Sequence, residues 1–345
     1  MTAERAYAIG LVDESATLDS ALKPAASIAG NGPLAVAVAE RLARQSADWS
    51  FSECGTKQGP TIRMIVESED AKEGSFAFVE KRPPAGNWSK HLLISGKKVS
   101  RYVDFTGRCV IVTGSTKGIG AAIARKVVDA GGAVVINSSS SVDAGHRLAS
   151  ELGEAVYVQG DVGADGVAEK LVAAATNRWG RVDGVVNNVA VTVPVRLDDF
   201  ESLTAAHWRK VLDANLVAPF MLTRAALPQL KSNHGWVVNI SSIAGRRQIG
   251  SSLPYAVSKA ALDQLTRTMA RFLGPDVRVN GLAPGAVNSD WSDGLDDRKA
   301  AIRAKTPLAR AAEPSEIAEA CLGLAASRFV TGHVLIVDGG LSLVV

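Results

Sequence analysis

From about Thr106 onward, short and almost wholly apolar runs rich in β-branched residues alternate with amphipathic stretches. The apolar runs predict strands over 109–113, 133–137, 155–159, 184–187, 236–240, 278–282 and 333–337. Between the first two, Ile119, Ile123 and Val127 recur every four residues and Gly131-Gly132 follow, the pattern of a helix stopped by glycine. Strands without polar alternation are buried on both faces, which requires a parallel sheet covered by helices. Strand–helix alternation of this kind predicts an α/β fold: a doubly wound parallel sheet of about seven strands, of the Rossmann type.

The pattern before residue 87 is different. Ala-rich stretches over 16–28, 33–44, 61–68 and 71–80 have helical spacing, and no strand stands out. Pro83-Pro84 interrupts regular structure, and 87–104 form a polar linker with one short apolar run, Leu92–Ile94. The expected organisation is a helical N-terminal extension over 1–86, a linker over 87–104 and an α/β domain over 105–345. No internal repeat is visible.

Composition adds limits. With 345 residues and 47% hydrophobic side chains the chain can build a sizeable core, and a net charge of +3 does not call for a nucleic-acid partner. Cys54, Cys109 and Cys321 are odd in number and far apart, without a CxxC pair, which fits a reducing compartment. The first residues lack a secretory pattern, and no apolar stretch approaches the roughly 20 residues that span a bilayer. The expectation is a soluble cytoplasmic protein with no membrane, nucleic-acid or metal partner.

Candidate chemistry begins at Gly114-Ser115-Thr116-Lys117-Gly118-Ile119-Gly120, between the first strand and the first helix. Glycines there let the chain turn tightly and let a pyrophosphate approach the backbone, while the helix N-terminus offers N–H groups. A plain tight turn has the same composition; the strand–turn–helix setting favours a dinucleotide. The second strand runs into Asn137-Ser138-Ser139 with no acid before Asp143. A carboxylate at that place would bond the ribose 2′-hydroxyl of NAD. Hydroxyls together with Lys117 suit a 2′-phosphate instead, so NADP(H) is favoured. NAD(H) is the alternative, with the serines as a loop that discriminates poorly.

Tyr255 and Lys259 are four apart on a helical stretch and share one face. A phenol titrates near pH 10, and an adjacent ammonium and a positive nicotinamide ring both favour its phenolate. Ser242 follows a buried strand, where its hydroxyl can hold a substrate oxygen. A Tyr–x–x–x–Lys pair by itself also fits an ordinary amphipathic helix; the ordered set with Ser242 and the glycine loop points to acid–base work by Tyr255.

With these pieces, residues 105–345 resemble the short-chain dehydrogenase/reductase family over essentially its whole length. The matches are Thr113-Gly114…Gly118-Ile119-Gly120, Asp161-Val162, Asn187-Asn188, Asn215, Ser242, Tyr255, Lys259 and Pro284-Gly285. The resemblance implies that Asp161 and Val162 flank the adenine. It implies that Asn215 holds a water relaying protons to Lys259, and that Pro284, Gly285, Val287 and Ser289 bed the nicotinamide. Lys259 would also bond the nicotinamide ribose. Val189-Ala190 follow Asn187-Asn188 where the family has Ala-Gly, and Ser289 stands for its Thr. The chain is most similar to 3-oxoacyl-(acyl carrier protein) reductase-like members. That implies ketone/secondary-alcohol interconversion on a small-molecule substrate such as a CoA or acyl-carrier thioester, and a homo-oligomer (tetramer or dimer). A hydroxysteroid, sugar or cyclic alcohol is the alternative substrate, and a non-catalytic scaffold that keeps the fold is the rival of another class.

The extension carries its own resemblance. Ala6–Glu14 and the run from Ser68 to Pro84 resemble the C-terminal part of crotonases, the enoyl-CoA hydratase/isomerase family, over residues 5–85. The half of that family with its oxyanion loops and catalytic glutamates has no counterpart here. Glu14, Glu69 and Glu73 are therefore read as solvated charges, and the segment as a fused packing module or relic that hints at acyl-CoA metabolism.

Overall fold

The computed structural model describes residues 103–289 and 304–344, together with Glu80. The chain divides into two units, Met1–Val99 and Ser100–Val345, and the description concerns the second. Apart from Glu80, the expected extension and most of the expected linker lie outside the described residues, as do Trp291 and its neighbours over 290–303.

Seven parallel strands form one sheet in the order β3-β2-β1-β4-β5-β6-β7. They are β1 (Cys109–Val112), β2 (Ala133–Ser138), β3 (Ala155–Gln159), β4 (Gly184–Asn187), β5 (Trp236–Ile240), β6 (Arg278–Pro284) and β7 (Val334–Val337). The helices are α1 (Gly118–Asp129), α2 (Val142–Leu152), α3 (Val167–Trp179), α4 (Ala205–Leu212), α5 (Ala218–Ser232), α6 (Leu253–Leu273) and α7 (Pro314–Ala326). Each strand feeds a helix that returns the chain to the same end of the sheet, so every strand runs the same way.

The apolar runs explain two cores. In β1, Val110 and Val112 turn to one face, where they meet Ile123 and Val127 of α1 and Ile317 and Cys321 of α7. Cys109 and Ile111 turn to the other and meet Leu171 of α3 and Leu222 and Leu230 of α5. This two-residue alternation buries both faces, and β1, β4 and β5 are buried along their whole length. The outer strands β3 and β7 keep partial exposure, as does Arg278 at the start of β6.

Two strands run past their expected ends. Ser138 of β2 pairs with Gln159, and Pro284 of β6 pairs with Val337, so the ladder continues where composition signals a turn. A proline fits the last place because only its carbonyl is needed there. The strand order reverses between β1 and β4, and the carboxyl ends on either side of that point form the crevice where such sheets bind ligands. Among the described residues no helix is long and apolar enough to cross a membrane.

Candidate active site

The loop after β1 is shaped by its glycines. Gly114 (φ 59°) and Gly118 (φ 56°) adopt left-handed backbone that a side chain would strain. At Gly120 a Cβ would stand 2.4 Å from the Gly114 carbonyl oxygen and 2.6 Å from Asn188 Nδ2, so the loop closes on α1 only with glycine there. Asn188 locks the closure by donating from Nδ2 to the carbonyls of Thr113 (2.9 Å) and Gly114 (3.0 Å). Thr113 Oγ1 accepts the backbone N–H of Asn188 and of Val189, at 3.0 and 3.1 Å.

α1 begins after Lys117 with no side-chain cap and no acidic residue in its first turn. Among the described residues its leading N–H groups meet no carboxylate, and the positive helix end is left for an anion. This cradle fits a pyrophosphate. Thr116, Lys117, Gly118 and Ile119 surround its mouth, and Ser289 comes against Gly118, its Cβ 3.6 Å from where a glycine Cβ would stand. That contact joins the segment after β6 to the phosphate loop.

Several predicted cofactor residues spend their side chains on the fold. Ser115 donates its hydroxyl to the Val112 carbonyl (2.7 Å) and accepts the N–H of Asn137 (2.9 Å). The Asn137 amide, fully buried, donates to the carbonyls of Val158 and Gly160. Asn187 donates to Asn239 Oδ1 (2.8 Å) inside the protein. Val162 is packed in the core, and Asp161 accepts the N–H of Gly163 in a local turn. These residues meet a ligand through their main chain or not at all, except Asp161, whose carboxylate is exposed. At the end of β2, Ser138 Oγ and Tyr157 OH bond each other at 2.8 Å, Ser139 is exposed, and no acid is present.

At the other side of the switch point, Ser241-Ser242 follow the end of β5. Ser242 caps a short 3₁₀ turn, Ile243–Gly245, and its Oγ accepts the Ala244 N–H (3.2 Å). The first turn of α6 is set by Ser252, whose Oγ accepts the Tyr255 N–H, with Pro254 beside it. Ser252 also bonds Thr192 Oγ1 at 3.0 Å, and Ser251 bonds it at 2.7 Å, tying α6 to the loop after β4. The Ser242 hydroxyl lies close enough to the Tyr255 phenol to favour its ionised form. Lys259, 1% exposed, donates from Nζ to the Ile240 carbonyl (2.8 Å) and lies 5.7 Å from the centre of the Tyr255 ring.

Asn215 reaches the cluster through an irregularity. Pro219 has no N–H for the Asn215 carbonyl four residues earlier, and the chain takes a π turn over Asp213–Val217, with Ala218 N–H bonded to the Asp213 carbonyl. Asn215 is fully buried there. Its amide accepts from Val191 N–H (2.7 Å) and donates to the Val191 carbonyl (2.9 Å) and to Ser258 Oγ (3.0 Å). Its side chain thus joins the loop after β4 to α6.

The two titrating groups move in opposite senses. Burial lowers Lys259 to about 8, partly opposed by the Asp263 carboxylate. Burial raises the Tyr255 phenol above its ordinary value, and Ser242 opposes this. The expected lowering of the phenol is therefore not met in this structure: Ser242 pushes it down, and burial outweighs that. Pro284 ends β6, Gly285 N–H bonds the Val337 carbonyl, and Val287 bridges to Ala312, so the segment meant to bed the nicotinamide is anchored along the same edge. Val189 and Ala190 line the β4 end, where a Cβ on Gly114 would meet Val189 Cγ2 at 2.9 Å.

A family model described as Enoyl-(Acyl carrier protein) reductase matches residues 114–342. "Granaticin polyketide synthase putative ketoacyl reductase 2" of Streptomyces violaceoruber is 42% identical over 237 residues, covering 68% of this chain and 95% of that protein. L-fucose dehydrogenase of Mus musculus is 35% identical over 254 residues, covering 71% and 91%. The structure of a protein titled short-chain dehydrogenase/reductase SDR:Glucose/ribitol dehydrogenase from Brucella melitensis superposes with a TM-score of 0.66 at 31% identity, covering 70% and 98%. The chain belongs to the short-chain dehydrogenase/reductase family. It is an NAD(P)-dependent oxidoreductase of that family, and ketone/alcohol interconversion is the chemistry its relatives support.

Ser241, Arg246, Asp263, Ser258 and Thr192 complete the cluster and were not singled out in the sequence. A signal existed for one of them: Asp263 follows Lys259 by the same four residues that separate Lys259 from Tyr255.

Proposed function

We propose that this oxidoreductase interconverts a 3-oxoacyl thioester and its 3-hydroxyacyl form with NADP(H), Tyr255 acting as acid and base. The observation that carries the reading is Lys259 held by the Ile240 carbonyl beside the phenol ring, with Ser242 close enough to favour the phenolate. The Gly114–Gly120 cradle would hold the pyrophosphate, Ser138, Ser139 and Lys117 a 2′-phosphate, and Pro284, Gly285, Val287 and Ser289 the nicotinamide end. Bound there, the nicotinamide supplies hydride to the carbonyl carbon or takes it from the alcohol. Ser242 holds the substrate oxygen, and Tyr255 gives it a proton in reduction or removes one in oxidation. The Lys259 ammonium stabilises the phenolate left behind, and Asn215 holds open the route by which the proton is replaced.

The named activity of the granaticin relative supports a 3-oxoacyl substrate, as does the crotonase-like sequence before the domain. A sugar is the second reading, favoured by the mutually bonded hydroxyls of Thr192, Ser251 and Ser252, which stand three and four residues before Tyr255 and on the facing loop. The protein would act as a cytoplasmic homo-oligomer through the π turn, α5 and α6, where Val217, Phe220 and Val257 are 47, 43 and 41% exposed.

The test is a kinetic screen of acetoacetyl-CoA, L-fucose and cyclic ketones and alcohols with NADPH/NADP and NADH/NAD, repeated on Tyr255→Phe. The expected result is turnover of acetoacetyl-CoA with NADPH, and its loss in Tyr255→Phe with cofactor binding kept. Turnover of L-fucose alone supports the second reading, and unchanged turnover in Tyr255→Phe removes the mechanism.

A further inference from the structure

Asp263 lies one turn beyond Lys259 on α6, 3% exposed, and its two carboxylate oxygens have different partners. Ser241, the residue before Ser242, donates its hydroxyl to Oδ1, and that hydroxyl also stands 3.3 Å from the Lys259 carbonyl. Arg246, at the end of the 3₁₀ turn that Ser242 caps, donates from Nε to Oδ2 at 2.9 Å. The carboxylate is thus held by the residues immediately before and shortly after Ser242, while it rides on the helix of Tyr255 and Lys259.

We propose that Asp263 is a positioning residue: clamped by Ser241 and Arg246, it fixes the turn of Ser242 against α6 and provides the buried counter-charge that keeps Lys259 an ammonium. The inference rests on the reading above, in which that ammonium serves Tyr255.

The geometry favours this role over a bare structural ion pair. Among the described residues Lys259 Nζ contacts a carbonyl dipole and forms no salt bridge, so its charge in a dry site needs a fixed opposite charge nearby. The other charged groups on elements packed against α6 are Arg278 on β6, Arg246 and Arg247 after the 3₁₀ turn, His207, Arg209 and Lys210 on α4, and Asp213 in the π turn. Of all these and of the groups on α6 itself, the one that acts on the Lys259 charge is Asp263, and it acts to favour the ammonium. Arg246 in turn neutralises part of Asp263.

This arrangement fixes opposite signs for two substitutions. Asp263→Asn keeps an acceptor for Ser241 but removes the charge, so Lys259 should lose its proton at lower pH. Arg246→Gln leaves the carboxylate uncompensated, so Lys259 should hold its proton to higher pH. The measurement is the urea-unfolding stability of each protein from pH 6.5 to 10.5, taken against its own Lys259→Met counterpart. A lysine whose folded value lies below its unfolded one adds no pH dependence below the folded value, and gains stability as pH rises between the two. In the parent the rise starts at about 8. We expect the start to move down by about half a unit to one unit in Asp263→Asn and up in Arg246→Gln. With the ketone identified by the screen, the alkaline limb of kcat/KM moves the same way.

Starts that coincide in all three proteins, or limbs that move oppositely, overturn the inference. If Asp263→Asn does not fold, Arg246→Gln decides alone. A Tyr255→Phe protein that still turns over would remove the catalytic reading while leaving the displaced starts intact, so the two failures are distinguishable.

Discussion

The phosphate loop after β1 and the polar cluster after β5 stand on one edge of one sheet, yet they are built by opposite means. The loop excludes side chains: glycines at 114, 118 and 120 clear the backbone, while Ser115 turns inward to hold β1 against β2 and Asn137 to hold β2 against β3. The cluster does the reverse and fills its space with polar side chains, with Asn215, Ser241, Ser258, Lys259 and Asp263 all at 4% exposure or less. The comparison shows what each end tolerates. An end made of backbone fails when atoms are added, and an end made of buried polar groups fails when they are taken away.

The largest expected effect comes from adding to the first. Gly120→Val drives a side chain against the Gly114 carbonyl and Asn188, and should weaken NADPH binding roughly 10- to 100-fold, the ~1–3 kcal/mol typical of overpacking. Fluorescence titration of NADPH reads it, and an unchanged affinity would remove the cradle assignment. A smaller effect comes from subtraction on the other side. Asn239 accepts from Asn187 (2.8 Å) and donates to Thr266 (2.9 Å) beneath the cluster. Asn239→Ala takes one buried hydrogen bond from each partner and should lower the unfolding free energy by about 1–3 kcal/mol with an unchanged urea m-value. The same substitution leaving the midpoint in place would show that the polar layer is dispensable. The smallest effect belongs to neither end. Arg125 and Glu151 form an ion pair with both side chains about half exposed, and Arg125→Gln should leave the urea midpoint within error.

The same difference explains what could be read from residues alone. The strands were legible because their burial on both faces leaves uninterrupted apolar runs; two run on where Ser138 and Pro284 continue a ladder, and two are one residue shorter, without Thr113 and His333. The glycine loop was legible because its constraint is local. Tyr255, Lys259 and Ser242 were legible because their chemistry and spacing are unusual together. Asn137 and Asn187 were not: which face a strand-end amide takes is decided by Val158, Gly160 and Asn239, all 20 or more residues away. Asp263 escaped for a related reason, since its partners Ser241 and Arg246 precede it by 22 and 17 residues. The raised phenol is a property of burial, which no local pattern states.

The π turn over Asp213–Val217 gives the second end a further dependence, on counting. Each residue of an α-helix advances its neighbours by about 100°. Deleting one residue from this turn would turn α4 relative to α5 and swing Asn215 away from Val191 and Ser258. The loop after β4 would then lose its tie to α6 although every named side chain was still in the chain. Chain length across those five residues is as much a part of the cluster as the identity of Asn215.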